Sequence, residues 1–331
     1  MDDKEELLGM PKHKRWVLLA NWADKTLLRT EVAFKLGEIL NDNLIWTPKS
    51  RQIILYFNDE YQGIYQLTEA IKIDNDRVDI ENIEDYDPSS TDPDLNDFKK
   101  FGYILEVDER EGEYYHFKTT EGVVFNCKDP DDSDEITQDT ADLIESDIRN
   151  VEDVIYSATF DDEVNGYRKY IDVESFIDWY LVNEITKNRD AIFYSSCYMY
   201  FDQADQLYHM GPIWDFDLSL GNITYDNCDK TYGFYVKNAK WISRLFEDPA
   251  FVDAVKARWN EKKEEFENLF AFIDTRVDDL SDARVANFEK WPVNDQWRFS
   301  PSQGSYEAEI DYLKTWYANR LDWLDANINN L

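Results

Sequence analysis

Apolar positions divide the chain into two textures. From Trp16 to about residue 130 they come in short runs bounded by turn residues, the spacing of strands. WVLLANW (16–22) predicts a short buried strand. Asp24 then stands where it could cap KTLLRTEVAFKLGEIL, in which Leu27, Leu28, Val32, Leu36 and Leu40 recur at helical spacing. RQIILYFNDEYQGIYQLTEAIKI (51–73) predicts a hairpin whose two apolar, aromatic-rich arms flank an Asn-Asp-Glu-Tyr-Gln-Gly turn region. Gly63, at its end, is expected to permit that turn or a close backbone approach. The acidic, Pro- and Ser-containing stretch ENIEDYDPSSTDPDLNDFK (81–99) predicts a surface loop, and FGYILEVDE (101–109) and EYYHFKTTEG (113–122) predict further strands.

From Ser133 onward the period changes. Segments 134–160 and 171–188 predict helices, followed by two short strands, SCYMYF and LYHMGPI, around a polar turn. Beyond WDFDLSLGN the segments 238–247, 249–270 and 305–329 are amphipathic, the last carrying Leu313, Trp316, Tyr317, Leu321 and Leu324. No internal repeat or low-complexity tract interrupts them. The organisation is a strand-rich front (1–130) and a mostly helical back (131–331) with one hairpin embedded in it, which licenses an α+β class and one domain spanning 1–331. That organisation resembles the two lobes of a kinase-like fold, and the pattern alone licenses only α+β.

Composition narrows the function classes. Of 331 residues, 70 are Asp or Glu and 35 Lys or Arg, a formal net charge of −35. A field of that sign repels phosphate backbones, so nucleic acid is not an expected partner, whereas a divalent cation or a basic partner is compatible. Three cysteines, Cys127, Cys197 and Cys228, cannot all pair within the chain and show no CxxC spacing. The start, MDDKEELLGMPKHKRW, has no apolar signal-peptide region, and no run approaches a membrane span. His13, His116 and His209 are scattered without metal-site spacing and are read as structural or surface residues.

The clearest chemical constellation is ITKNRDAIFYSSCYMY followed by MGPIWDFDLSLGN. Asp190 falls where a helix ends, and Asp215 and Asp217 fall where the small hairpin ends. Helix, loop carboxylate, hairpin and second loop carboxylate could bring two acids to one edge of a short sheet beside an open cleft. Phosphoryl transfer needs such a pair: one carboxylate to receive the proton of the attacking hydroxyl, the other to hold the metal that bridges the nucleotide phosphates. In WDFD, acids alternate with aromatics, which places both carboxylates on one face of an extended segment. Asp217 is then a second metal ligand or the cap of the next turn. Acids at helix and strand ends also serve as simple caps, so spacing alone leaves that alternative open.

These blocks carry a family resemblance. WVLLANWADKTLLRTEVAFKLG, YFNDEYQGIYQLTEAIKI with RVDI, GYILEVD, NRDAIFYSSCYMY and MGPIWDFDLSLGN resemble, in order, the characteristic segments of the CotH family of spore-coat and secreted kinase-like proteins. The resemblance implies a protein-kinase-like fold and ATP-dependent phosphorylation of Ser on secreted or cell-surface proteins, with Mg²⁺ or Mn²⁺. On it, Asp190 matches the catalytic-loop acid and Asp215 the metal-binding acid, with Asp217 beside it. Trp214 is a candidate for packing against the nucleotide. Glu69 and Glu106, at strand ends in family blocks, are candidates for contact with the nucleotide, a phosphate-binding cation or the metal. Arg29 and Lys72 are candidates for phosphate contact, and each is equally readable as an ordinary surface or helix-face charge. Ser195 occupies the position, five residues after Asp190, where many kinase-like folds place an Asn for a second metal. The family's RGNSTW-like segment and Lys-rich KKPY-type strand are not seen before WVLLAN, so the front is expected to lack the first family strands.

Two other functions compete with the kinase. One is a non-catalytic kinase-like scaffold of a bacterial extracellular assembly, including a cellulosomal one. The other is a carbohydrate-active protein, suggested by abundant Trp and Tyr beside paired acids, which leaves the family blocks unexplained.

Overall fold

The computed structural model describes residues 3–131, 135–292 and 302–331. The front begins with a small hairpin, β1 (Glu5–Leu7) and β2 (Met10–His13), in the segment where no strand was expected. Next come β3 (Trp16–Leu19), β4 (Ser50–Phe57) and β5 (Glu60–Glu69), which form a three-stranded antiparallel sheet in the order β3-β5-β4. β3 is shorter than predicted and only half-buried, because it forms one edge of that sheet.

The β4–β5 turn is tighter than predicted. Asn58 and Asp59 both have positive φ, 49° and 65°, the conformation of a two-residue hairpin turn whose twist matches the strands. Gly63 therefore lies within β5 rather than in the turn, and its role is the close approach. At its φ of +117° a Cβ would stand 2.6 Å from Asn287 Oδ1. That amide accepts the Ile64 N–H at 2.8 Å and holds the sheet against helix α7 (Ala283–Lys290).

The second sheet contains β6 (Tyr103–Val107), β7 (His116–Lys118), β8 (Val124–Asp129), β9 (Cys197–Asp202) and β10 (Leu207–Met210), in the order β10-β9-β6-β8-β7. β8 was not resolved by the sequence pattern: it is buried almost throughout and includes Asn126 and Lys128, so it lacks alternation. The sheet has two apolar faces. Tyr103, Leu105 and Val107, opposite Phe201, Met199 and Cys197, enter the main core. Ile104 and Glu106, opposite Tyr200 and Tyr198, face the other way, where a second cluster gathers Trp46, Val78, Ile80, Ile104, Tyr198 and Tyr200.

Helices cover the main-core side. α1 (Arg29–Ile39) starts later than its apolar pattern, because Asp24 accepts the N–H groups of Thr26 and Arg29 and folds the chain into a turn before it. α2 (Gln138–Ile155) carries a buried stripe; of its predicted range, residue 134 lies outside the described residues, as does Ser133, where the change of texture was placed. α3 (Val173–Thr186) is capped by Asp172 and is buried at every position from Ser175 to Thr186, the pattern of a central core helix. α1, α5 (Pro249–Glu267) and α8 (Tyr306–Asn327) pack against it, while α4 (Lys240–Leu245) packs on α2 and α6 (Leu269–Asp279) on α1 and α5. No helix among the described residues is long and apolar enough to cross a membrane. This is the mixed α+β architecture that the pattern predicted.

Candidate active site

α3 aims the site. It ends at Lys187, whose φ of 50° turns the chain out of the helix. Asn188 then holds the loop: its Oδ1 accepts the Asp190 N–H at 3.3 Å, and its Nδ2 donates to Asn183 Oδ1 at 3.1 Å and to the Asp215 carbonyl at 3.4 Å. One side chain thus ties the two acid-bearing loops together. Asp190 receives the Arg189 guanidinium at 3.0 Å, and that Arg also reaches Asp226 at 3.1 Å. The carboxylate lines an open cavity of about 600 Å³ with Arg189, Tyr194, Leu218, Thr224 and Tyr225.

Asp215 departs from the extended segment expected for WDFD. Its φ is +61°, in the left-handed region that non-glycine residues adopt at a cost of about 1–3 kcal/mol. Phe193, Ser196 and Leu220 share that sign, with φ of 64°, 55° and 50°. Both loops that bear the acids therefore carry strained backbone positions.

The turn does not separate Asp215 from Asp217, because their side chains share a hydrogen bond. Burial and then the charge of Asp190 raise the Asp215 carboxyl above its ordinary range. Burial, followed by the charges of Asp215, Asp24 and Asp190, pushes Asp217 up to about 7. Asp190 acts on both through its charge, whereas Asp215 and Asp217 touch. That division fits one acid for proton transfer and two for a cation. An oxygen-only donor set with excess negative charge suits a hard divalent ion such as Mg²⁺ or Mn²⁺.

The basic side of the site was missed from sequence. Arg110, on the turn after β6, donates through Nε to Asp108 Oδ1 and Oδ2 at 2.9 and 3.0 Å. Its charge lowers the Asp215 carboxyl, and Asp190 is among the groups that raise Arg110. Ser195 belongs to this group rather than to the metal acids: it is buried, donates to Asp108 Oδ2 at 3.0 Å and is hydrogen-bonded by Arg110 Nη2. The sequence signal was present in LEVDER, an acid two residues before an Arg at a strand end, but nothing local showed that the strand pairs with β9.

The remaining candidates are dispersed. Glu106 is on the second-cluster face of β6, buried, with Lys128 Nζ at 3.2 Å; burial raises its carboxyl and the lysine opposes the rise. Trp214 is half-buried between the two clusters, its ring 6.0 Å from that of Phe34. Glu69 is wholly buried at the end of β5, where Oε2 accepts the Lys49 N–H at 2.9 Å. Arg29 is wholly buried, held by Asp24 and by the Leu220 carbonyl at 3.3 Å, so its contacts are internal. Lys72 is paired with Asp129 at 2.8 Å and Asp131 at 3.2 Å. Thus Asn188 ties the loops of Asp190 and of Asp215 and Asp217 together, Ser195 joins them through Arg110, Arg29 lies buried against the end of the Asp217 loop through Asp24 and Leu220, and Glu69 and Lys72 are engaged elsewhere.

Two groups among the described residues could hold a cation by ligand spacing alone, Asp202, Asp205 and His209, and Glu84, Asp129 and Glu135, each within 4.8 Å; Asp190, Asp215 and Asp217 as a set stand farther apart than that. Both already have internal partners, His209 with Asp205 at 3.0 Å and Asp129 with Lys72.

A buried helix ending in a loop carboxylate, a β-hairpin, and a second acidic loop tied to the first define a kinase-like α+β protein. The chain belongs to the CotH family: the family model described as CotH kinase protein matches residues 1–324. No curated protein matches the chain.

Proposed function

We propose that the chain is a metal-dependent protein kinase that moves the γ-phosphoryl group of ATP to a Ser hydroxyl of secreted or cell-surface proteins. The observation that carries this reading is that Asn188 ties the loop of Asp190, which lines the open cavity, to the loop that bears Asp215 and Asp217. In the reaction the Ser oxygen forms a bond to the γ-phosphorus and the bond from that phosphorus to the β,γ-bridging oxygen breaks. The electron pair leaves with ADP, and the Ser proton passes to a carboxylate. Asp190, on the cavity wall and held by Arg189 and Asn188, is placed to take that proton. Asp215 and Asp217 would hold the divalent cation, which when bound neutralises phosphate charge. Asn188 fixes the spacing of the two loops.

The test is transfer of label from γ-labelled ATP to a panel of Ser-containing proteins in Mn²⁺, with Asp190→Ala and Asp215→Ala alongside. Divalent-dependent labelling that both variants lose is the expected result. Full activity in both variants would overturn the assignment.

One observation favours a second reading. The Ser195 hydroxyl is committed to Asp108, so the position where many kinase-like folds place a metal-binding Asn offers no free ligand. A non-catalytic scaffold of an extracellular assembly accommodates that. Calorimetry showing no ATP binding at millimolar nucleotide and Mn²⁺ would favour the scaffold.

A further inference from the structure

We infer that Arg110 is the phosphate-recognising cation of the site, contacting the γ-phosphate of bound ATP and stabilising the group in flight; this rests on the phosphotransferase reading above. Acidic loops that gather a metal need a counterpart for the phosphate charge that the metal does not cover. Of the sequence candidates for that task, Lys72 is occupied by internal carboxylates, and Arg29 is fully buried, held by Asp24 and the Leu220 carbonyl with its Nη2 unpaired and closed off from solvent. Arg110 differs from both. Its side chain is 68% exposed, yet it is held in one orientation.

That orientation is built from below. Asp108 is buried, its backbone carbonyl accepts Asn126 Nδ2 at 3.0 Å, and its carboxylate grips the Nε edge of the guanidinium. Ser195, five residues after Asp190 on the catalytic loop, braces Nη2 from the other side. Among the described residues no group engages Nη1, so one edge of the planar fork remains open. A guanidinium fork matches phosphate oxygens in a way a point charge does not.

Its position supplies the second argument. Arg110 Nη2 bonds the Ser195 hydroxyl, which lies 3.4 Å from Ser196 Oγ; Ser196 in turn donates to Asp215 Oδ2 at 3.4 Å, and the Ser195 N–H donates to the Asp190 carbonyl at 3.4 Å. A phosphoryl group travelling between the metal acids and the Asp190 cavity passes within its reach. An ordinary surface pair of Arg with an acid two residues earlier would need neither a buried partner nor a brace from the catalytic loop.

The experiment compares the full chain with Arg110→Met and Arg110→Lys, using MnATP and MnADP as calorimetric probes and ATP turnover as the rate. Wild type should bind MnATP more tightly than MnADP. In Arg110→Met that preference should vanish while MnADP affinity is kept, and turnover should fall roughly 10²–10³-fold, the usual loss for one preorganised donor. Arg110→Lys should recover part of the preference, because it restores charge without the fork. Thermal melts guard against misfolding, which an exposed side chain makes a small concern. An unchanged preference for ATP and unchanged turnover in Arg110→Met, with Asp215→Ala inactive, would overturn the inference and leave the kinase reading standing. Failure of wild type to bind either nucleotide would remove both.

Discussion

Two strand exits in this molecule hold clustered carboxylates, and they are built on opposite principles. Beyond β5, Lys72 reaches across to Asp129 and Asp131, and Asp129 also accepts the Ile73 N–H. The acids there are neutralised from within. Beyond β10, Asp215 and Asp217 lie half-buried, share a proton-dependent hydrogen bond, and feel a third acid, Asp190. The basic group whose charge lowers Asp215 is Arg110, itself engaged by Asp108. Acids whose partners are part of the chain stabilise the fold. Acids left to repel one another raise its free energy, a cost that proteins accept at functional sites, and on the proposed function a cation from outside would offset it.

The largest predicted effect exploits that contrast. Asp215→Asn removes a charge from the repelling group, and Asn tolerates the left-handed φ as well as Asp does. Its melting temperature without metal should equal or exceed that of wild type. Transfer from MnATP should nevertheless fall at least about 100-fold, since metal-assisted charge stabilisation is worth several kcal/mol. Activity and melting temperature falling together in this variant would erase the distinction between the two exits.

The comparison also explains what was legible in the sequence. Asp190, Asp215 and Asp217 could be found because helix, hairpin and loop signals immediately flank them. The fate of Lys72 could not, because its partners lie 57 and 59 residues away at the end of β8 and just beyond it. β8 is buried on both faces and shows no alternation. Arg110 was hidden for the same reason: its exposed side chain looks like any surface charge until β6 pairs with β9 and brings Ser195 beside it. Asp215 and Asp217 were expected to meet by alternation along an extended strand. They meet instead through a left-handed turn, which no local pattern encodes. The α+β class was readable because it rests on periodicity; side-chain partnership across sheets does not.

A stronger version of internal pairing lies under the catalytic loop. Arg320, on α8, and Glu184, on α3, are both fully buried and 2.6 Å apart. Arg320 also donates to the Thr231 and Gly233 carbonyls, at 2.9 Å each, while Glu184 accepts the Tyr235 and Lys237 N–H groups at 2.7 and 3.0 Å. Arg320→Met leaves a buried carboxylate without its counter-charge and takes the side-chain donor from two carbonyls, and urea unfolding should show a loss of about 3–5 kcal/mol. Lys72→Met is the milder case because its cluster is partly wet. It should cost about 1–3 kcal/mol and leave MnATP affinity unchanged. A large loss of nucleotide affinity in Lys72→Met would move the β5 exit into the active site and dissolve the comparison.

The smallest effect concerns Lys187, which joins the two principles in one residue. It sits at the end of α3, three positions before Asp190, and its Nζ donates to the carbonyls of Asn227, Lys230 and Tyr232, each at 2.9 Å. It thereby pins the segment that follows the cavity-lining Thr224 and Tyr225. Unlike Lys72 it has no carboxylate within bonding distance among the described residues; burial, then the charge of Arg320, brings its ammonium down to about 8 from an ordinary value of 10.5. Between about pH 8 and 10.5 the unfolded chain keeps a proton on Lys187 that the folded chain has released. The unfolded state then binds more protons, so this group makes stability rise with pH across that window. Below pH 8 both states are protonated and the contribution is flat. Urea midpoints of wild type and Lys187→Met, measured at pH 7.5 and pH 10, isolate the term: the difference between the two proteins should shift in favour of wild type at the higher pH. A difference that stays constant would mean that the three carbonyls hold the ammonium as well as a carboxylate does, and that an internal cation here needs no acid to balance it.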